Sequence, residues 1–326
     1  MIAMYNSADL SRIHVCGGAK FLLRVETSSQ IEDYARYDEI RNAIWDFPED
    51  HLAGCRGLLG ENYFHDGTSL FIGAHAAAPD GGLEASAERM VGFSYGFVGV
   101  RDKSVGFRSP DNLWFYSQYT GVLPEMEGFG LGLAIKEFQR DVLLSLYGIR
   151  TVVCTFDPLT AVNAHRNFRR LGMRVIDYRP ATYGEFGGRL NRRDVPSDRF
   201  FMAWDLGKDE ARAGAAPGER AGEIPCVLPA ARQMIDGRSG WIEVETAGVL
   251  DLAGVSDSAL MRIPADFYAV LKETDVEDPE VRRIPLTWRL RTREAFQTLL
   301  GSGFRVAGFL DILPGETGPG YILRRS

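Results

Sequence analysis

Apolar positions along this chain fall into two periods, and each period predicts a different kind of element. Leu131, Ala134, Ile135, Phe138, Val142 and Leu146 recur at three- and four-residue spacing with Gly148 after them, which predicts one helix over 130–147. The same period runs from Ile31 through Tyr34, Tyr37, Ile40, Ile44 and Trp45, with Ser28 or Ser29 placed to cap that helix. A weaker helical stretch follows near Pro48. Residues 20–25 read as a first strand. Ser69–Ala76, Met90–Val100 and Leu113–Val122 are three extended runs, rich in aromatic and β-branched residues and separated by Gly, Pro, Asp and Ser. They predict an antiparallel meander.

Thr151–Phe156 carries no charge, which suits a buried strand beside the one that ends at Val122. A helix over 160–171 stops at Gly172, and strands are expected at 173–179 and 199–206, joined by a long polar loop. Residues 207–223 turn to Gly, Ala, Glu, Lys and Pro and read as a linker, so the expected domains are 1–206 and 224–326. In the second, strands are expected at 240–245, 260–263, 305–310 and 321–324, a short helix opening at Pro264, and a longer one over 288–300. The run from Phe296 to Val306 faintly echoes that from Phe168 to Val175, each passing from helix through glycine to strand.

Composition narrows the choices. With 326 residues, 45% of them hydrophobic, the chain suits one large or two ordinary globular domains. The net charge of −7 provides no basic face for a nucleic-acid backbone. Cys16, Cys55, Cys154 and Cys226 lack CxxC spacing, suggest neither a metal site nor a disulfide framework, and read as reduced thiols of a cytoplasmic protein. The first residues lack a basic start and an apolar run, and no segment reaches the roughly 18 apolar residues of a membrane span. Neither export nor insertion is expected. Nothing in the pattern speaks to oligomeric state.

The chemistry concentrates in the run from Val122 to Gly132, where Gly128, Gly130 and Gly132 join the end of a strand to the start of the 130–147 helix. Backbone N–H groups at a helix start have no intrahelical partner and carry the positive end of the helix dipole; glycines let an anion approach them. A Walker loop would need Gly-Lys-Ser/Thr, and this turn ends Gly132-Leu-Ala-Ile. A dinucleotide turn would follow the first strand of a parallel unit with an acidic residue about 20 positions on. Here the turn follows a meander, and Asp157 comes too late.

In this arrangement residues 18–206 resemble the GNAT superfamily of N-acetyltransferases. Its Q/R-x-x-G-x-G/A signature is matched by Gly130 and Gly132, with Glu127 at the first position. A second segment, Thr151–Phe156 followed by Asp157-Pro-Leu and Asn163 through Gly172, is similar to the superfamily's next strand, helix and glycine. Within the superfamily the chain looks most like a bacterial branch of predicted acyltransferases, by Thr155-Phe-Asp-Pro-Leu159, Asn163-Ala, Asn167, Tyr183-Gly184, Pro196-Ser-Asp198-Arg199-Phe and Trp204. Some members of that branch resemble amino-acid N-acyltransferases, including succinyl-CoA-dependent ones.

The resemblance implies an α+β fold, a mixed and mostly antiparallel sheet flanked by helices, with a smaller α+β C-terminal domain. It implies acetyl-CoA or another acyl-CoA such as succinyl-CoA as donor, a small amine such as an amino acid as acceptor, and no metal, nucleic acid or membrane. Backbone groups of Val122 and Leu123 would meet the pantetheine arm. Residues Glu127, Gly128, Phe129, Gly130, Leu131 and Gly132 would hold the pyrophosphate, with Asn163 and Phe168 near the thiol. Asn163 as a helix cap and Phe168 as a core aromatic remain open readings.

The superfamily often places a tyrosine where Phe168 stands, and a phenyl ring cannot protonate a thiolate. Tyr183 is the substitute acid. Arg199 and Arg189, from an arginine-bearing loop in an otherwise acidic chain, are the candidates for binding the carboxylate of an amino-acid acceptor, that of a succinyl donor, or the 3′-phosphate of CoA; the other reading is a solvated loop with Arg199 paired to Asp198 or Asp194. His165 reads as an exposed helical histidine. Glu185, Asp198 or an ordered water are the options for a base. A non-catalytic CoA-binding or protein-interaction module with the same fold is the alternative function.

Overall fold

The computed structural model describes residues 10–45, 55–60, 62, 68–184, 187–208, 224–313 and 317–326. They form two compact units: Met1–Cys154 with Asp205–Gly207, and Thr155–Trp204 with Lys208–Ser326. The division passes through a strand rather than through residue 206, so Thr155–Trp204 cluster with the C-terminal residues. The expected linker lies, apart from Gly207 and Lys208, outside the described residues, as does the helix expected near Pro48.

The first unit holds strands β1 (Ser11–Cys16), β2 (Ala19–Val25), β3 (Ser69–Ala76), β4 (Met90–Val100) and β5 (Leu113–Val122), and most of β6 (Thr151–Phe156). Successive strands are neighbours. The first five are antiparallel, as the meander predicted, and β6 lies parallel to β5. Helices α1 (Ile31–Trp45), α2 (Cys55–Leu59) and α3 (Leu131–Val142, continuing through Leu143–Tyr147) complete it. The periodic residues Leu131, Ala134, Ile135, Phe138 and Val142 are buried, and Gly148 ends the helix with a left-handed φ of 66°. On α1, Tyr34 and Tyr37 pack against Phe71 of β3. Strand β1 was not predicted. It forms with β2 a hairpin turned at Gly17 and Gly18, both with positive φ, the conformation that tight hairpins require.

The second unit begins with the end of β6. It continues with α4 (Ala161–Ala164, continuing through His165–Arg170) and the antiparallel strands β7 (Arg174–Arg179) and β8 (Arg199–Asp205). Then come β9 (Cys226–Leu228), a hairpin of β10 (Ala230–Gly237) and β11 (Gly240–Ala247), and β12 (Ser258–Arg262). Helices α5 (Phe267–Glu273), α6 (Pro279–Arg282) and α7 (Ile284–Gly301) precede β13 (Phe304–Leu310) and β14 (Gly320–Arg325). A four-stranded sheet runs β13-β14-β12-β9.

Pro264 does not open a helix: Asp266 is the cap, its carboxylate accepting from the Ala269 amide at 2.9 Å, so α5 begins at Phe267. The echo seen in the sequence has a structural counterpart. Gly172 (φ 62°) and Gly303 (φ 84°) each turn a helix into the first strand of an antiparallel pair, β7 with β8 and β13 with β14. The whole is an α+β fold with a large, mostly antiparallel sheet, flanking helices and a second C-terminal sheet.

Candidate functional site

In the first unit the site starts from a defect in β5. The ladder with β6 has only two rungs, Phe115 with Val152 and Tyr116 with Val153. Directly afterwards the register with β4 slips, from Ser117 opposite Gly96 to Tyr119 opposite Tyr95, so Gln118 is an extra residue. A bulge bends its strand and ends pairing. Val122 thus lies six residues beyond the last rung. The Leu123 amide is committed to the Val91 carbonyl at 2.9 Å and its carbonyl to the Met126 amide, so alternation along the strand turns the backbone groups of Val122 the other way, away from β4.

The chain then makes a single turn over Pro124–Met126 and reaches Gly128 and Gly130, with φ of 89° and 69°. Gly130 is the N-cap of α3, and its carbonyl accepts from Leu133 and Ala134. Among the described residues, the amides of 128–132 take no part in the backbone hydrogen bonds of this turn, and no side chain caps the helix. Left-handed backbone explains two of the three glycines; Gly132 is already helical. Glu127 is exposed, and Leu131 is buried at the head of α3.

One contact had no forecast. His14 of β1 donates from Nε2 to the Phe129 carbonyl at 2.8 Å, while the Phe129 ring packs on Phe21 of β2 at 5.5 Å. The sequence carried a signal for it, since Gly17-Gly18 between two alternating runs marks a hairpin that would bring β1 into the sheet.

In the second unit two carboxylates, the half-buried Asp157 and the buried Asp198, organise the polar side chains. Asp157, just beyond β6, receives both arms of Arg289, Nη1 on Oδ1 at 2.9 Å and Nη2 on Oδ2. Arg199 Nη1 approaches the same Oδ2 at 3.4 Å and donates to the Asp198 carbonyl at 2.9 Å. Arg199 therefore pairs with Asp157, rather than with the Asp198 or Asp194 carboxylate; Asp194 is taken by Arg192. One turn further along α7, Arg293 grips Asp198, Nε on Oδ2 at 2.9 Å and Nη2 on Oδ1 at 2.6 Å.

Asp198 also accepts from the Tyr178 hydroxyl and, at 2.9 Å, from the Ala181 amide. Burial alone would raise its carboxyl, but the hydrogen bonds from Arg293, Tyr178 and Ala181 prevail and hold it below the ordinary carboxylate value. A carboxylate so held is no general base, which removes Asp198 from that role. Glu185 lies outside the described residues. Burial, and then the Asp157 charge, push the Tyr268 phenol up to about 12.

Tyr183 is half exposed. Its hydroxyl shares a 2.8 Å hydrogen bond with Thr155 Oγ1, and the Arg199 guanidinium lies over its ring at 5.2 Å. Arg189 is exposed on the same loop. Asn163 is not the cap of α4, a place held by Thr160. Its amide donates to Thr160 Oγ1 at 3.1 Å, and its oxygen accepts from Arg166 at 2.9 Å. Phe168 packs edge-on against Tyr321 at 5.8 Å, within a group of rings that includes Phe200, Phe296 and Phe309. His165 is partnered rather than simply solvated: Nδ1 meets Asp311 Oδ1 at 2.7 Å. No described helix is long and apolar enough to cross a membrane.

No family model matches the chain, and no curated protein does. Among solved structures the chain is similar to NAA60 of Arabidopsis thaliana in complex with acetyl-CoA, at 15% identity over 58% of this chain and 99% of that one, with a TM-score of 0.40. It is similar to the ribosomal-protein-S18-alanine N-acetyltransferase from Escherichia coli at 14% identity, over 61% and 99% of the two chains, with a TM-score of 0.39.

Proposed function

We propose that this chain is an acyl-CoA-dependent N-acyltransferase of the GNAT type, moving an acetyl or succinyl group to the amine of an amino acid or a similar small molecule. The observation that carries the reading is the glycine turn at the end of β5, reached just after that strand bulges and parts from β6. The amides of residues 128–132 make no backbone hydrogen bond among the described residues, and Gly128 and Gly130 present no Cβ to an incoming pyrophosphate. The outward backbone edge at Val122 suits the amide-bearing pantetheine arm, which would add to β5 as a strand adds to a sheet. When bound, the donor supplies an acyl group activated as a thioester.

With the resemblance as guide, we assign the remaining roles to Tyr183, Arg199, Arg189, Asn163 and Phe168. The acceptor's neutral amine attacks the thioester carbonyl; the C–N bond forms, the C–S bond breaks, and the sulfur leaves with the electron pair. Tyr183 gives its hydroxyl proton to that thiolate and regains one, through water, from the nitrogen, so the phenol is regenerated. Thr155 fixes the direction of the hydroxyl. Arg199 offers its remaining N–H groups to the acceptor's carboxylate, with Arg189 assisting. Asn163 would orient the thiol end of the donor, and Phe168 would wall it.

Calorimetry with acetyl-CoA, succinyl-CoA and free CoA is the first test. Binding below millimolar concentration is expected, and silence toward all three rejects the reading. Thiol release from each acyl-CoA against a panel of amino acids and polyamines then decides acyl group and acceptor. The packing of Phe168 against Tyr321 favours a second reading, a CoA-binding module without catalysis, because no hydroxyl stands at that position. Binding without thiol release is the result that would select it.

A further inference from the structure

The C-terminal residues contribute no part of the glycine turn, yet α7 holds both carboxylates around which Tyr183 and Arg199 are arranged. We propose that Arg289 and Arg293 are positioning residues for the transfer reaction, so that one face of α7 sets the geometry of the proposed acid and of the proposed acceptor-binding arginine. This inference rests on the roles given above to Tyr183 and Arg199.

Two chains of contact lead from α7. The first runs from Arg293 to Asp198, which is fully buried, and from Asp198 Oδ1 to the Ala181 amide at 2.9 Å. Ala181 has a φ of 46°, the only non-glycine residue in the left-handed region among the described residues. A residue bearing a Cβ stays there only when its surroundings impose it. Here the neighbours do so. The Thr182 amide donates to the Ser197 carbonyl at 3.1 Å, and the Tyr183 amide donates to Ser197 Oγ at 3.0 Å. Ser197 Oγ in turn donates to the Gly184 carbonyl at 3.2 Å. The segment carrying Tyr183 is thereby fastened to Ser197 and Asp198, and Asp198 to α7.

The second chain runs from Arg289, 1% exposed, to both oxygens of Asp157, and from Asp157 to Arg199, whose guanidinium lies over the Tyr183 ring. The two chains meet at the pair of side chains that the reaction would use. Residues 289 and 293 are one helical turn apart and share a face, so one rigid element sets both. Apolar contacts would tie a helix to a loop without the cost of stripping water from two ion pairs. What a bidentate guanidinium–carboxylate pair adds is a fixed direction. Direction matters where a hydroxyl has to meet a leaving sulfur.

The test compares wild type with Tyr183→Phe, Arg199→Gln, Arg289→Lys and Arg293→Lys, by thiol release from acetyl-CoA with the amino-acid panel and by CoA calorimetry. Arg293→Lys should lower kcat about a hundredfold, in parallel with Tyr183→Phe, with the affinity for CoA unchanged. Arg289→Lys should raise the acceptor's KM about tenfold, in parallel with Arg199→Gln. Methylguanidine added to Arg293→Ala should restore part of the lost rate. A substrate-free arm measures amide exchange in residues 180–198, which should quicken in Arg293→Lys while α3 stays as in wild type.

Folded α7 variants with wild-type kinetics and exchange overturn the inference. If Tyr183→Phe and Arg199→Gln transfer like wild type, the assignment of those two residues fails instead. A wild type that releases no thiol rejects the transfer reading and this inference with it. Should Arg293→Lys not fold, the pair Arg293→Met with Asp198→Asn, which removes both charges, replaces it; normal kcat in that protein counts against the proposal.

Discussion

His14 donates a hydrogen bond from Nε2 to the carbonyl of Phe129, across 115 residues of chain and directly before the glycine that caps α3. The Phe129–Gly130 peptide is planar and trans, so holding its carbonyl toward β1 turns the Gly130 N–H the opposite way. His14 therefore sets the aim of one amide in the proposed anion cradle. His14→Leu is expected to weaken CoA binding about tenfold, roughly one such hydrogen bond to a charged group. Gln, whose amide nitrogen stands near the position of Nε2, should restore most of it. Calorimetry on the three proteins, with a thermal melt to show equal folding, checks this.

Gly130 makes the second prediction. At φ 69° any Cβ-bearing residue is strained by about 1–2 kcal/mol, and the added side chain would also approach His14, whose Nε2 lies 3.8 Å from the Cβ position. Gly130→Val should abolish CoA binding. It should also lower stability in urea by that amount rather than unfold the protein, because the turn is exposed. CoA affinity equal to wild type would place the anion elsewhere.

Stability should fall on mild acidification because of His75. Burial, with the Arg24 charge helping and the Ser86 carbonyl opposing, lowers its pKa below 6.5. Between that lowered value and 6.5 the unfolded chain binds more protons than the folded one, so stability is complete above pH 6.5 and declines as pH drops toward the folded value. Melts between pH 7.5 and 5 should show the decline, and His75→Gln should flatten it. A steeper decline in the variant would refute the assignment.

Asp198→Asn breaks a buried ion pair from one side. Arg293 loses its charged partner, and destabilisation of about 3–5 kcal/mol is expected by urea titration. The folded Asp198 pKa is depressed, so its contribution is present above pH 3.8 and is lost as pH falls through the lower folded value. The difference between wild type and variant should therefore narrow only below pH 4.

Much of the fold was legible because its determinants are local. The helix of α3 follows from six apolar residues at helical spacing and a terminal glycine, and β3, β4 and β5 follow from short β-branched and aromatic runs with turns between them. Strand β10 was not legible. Its residues Ala-Ala-Arg-Gln-Met-Ile-Asp-Gly show no alternation, and it is a strand because eight of its positions pair with β11. Strand β1 carried only the Gly17-Gly18 hairpin signal: its apolar Ile13 and Val15 are exposed, and what holds the strand is its ladder to β2.

The candidate site divides in the same way. Glycine spacing at the end of a strand and the start of a periodic helix marks an anion turn, because positive φ and helix capping are decided within a few residues. The sequence alone thus located the glycine turn at which the proposed donor would be held. Which of 37 basic residues would meet which carboxylate it did not determine. Arg289 reaches Asp157 across 132 residues, Arg293 reaches Asp198 across 95, and Arg199 turns to Asp157 rather than to its neighbours. Such choices depend on strand register and on the packing of α7, and only the folded chain decides them, because a side chain pairs with what packing brings near and not with what precedes it in the chain.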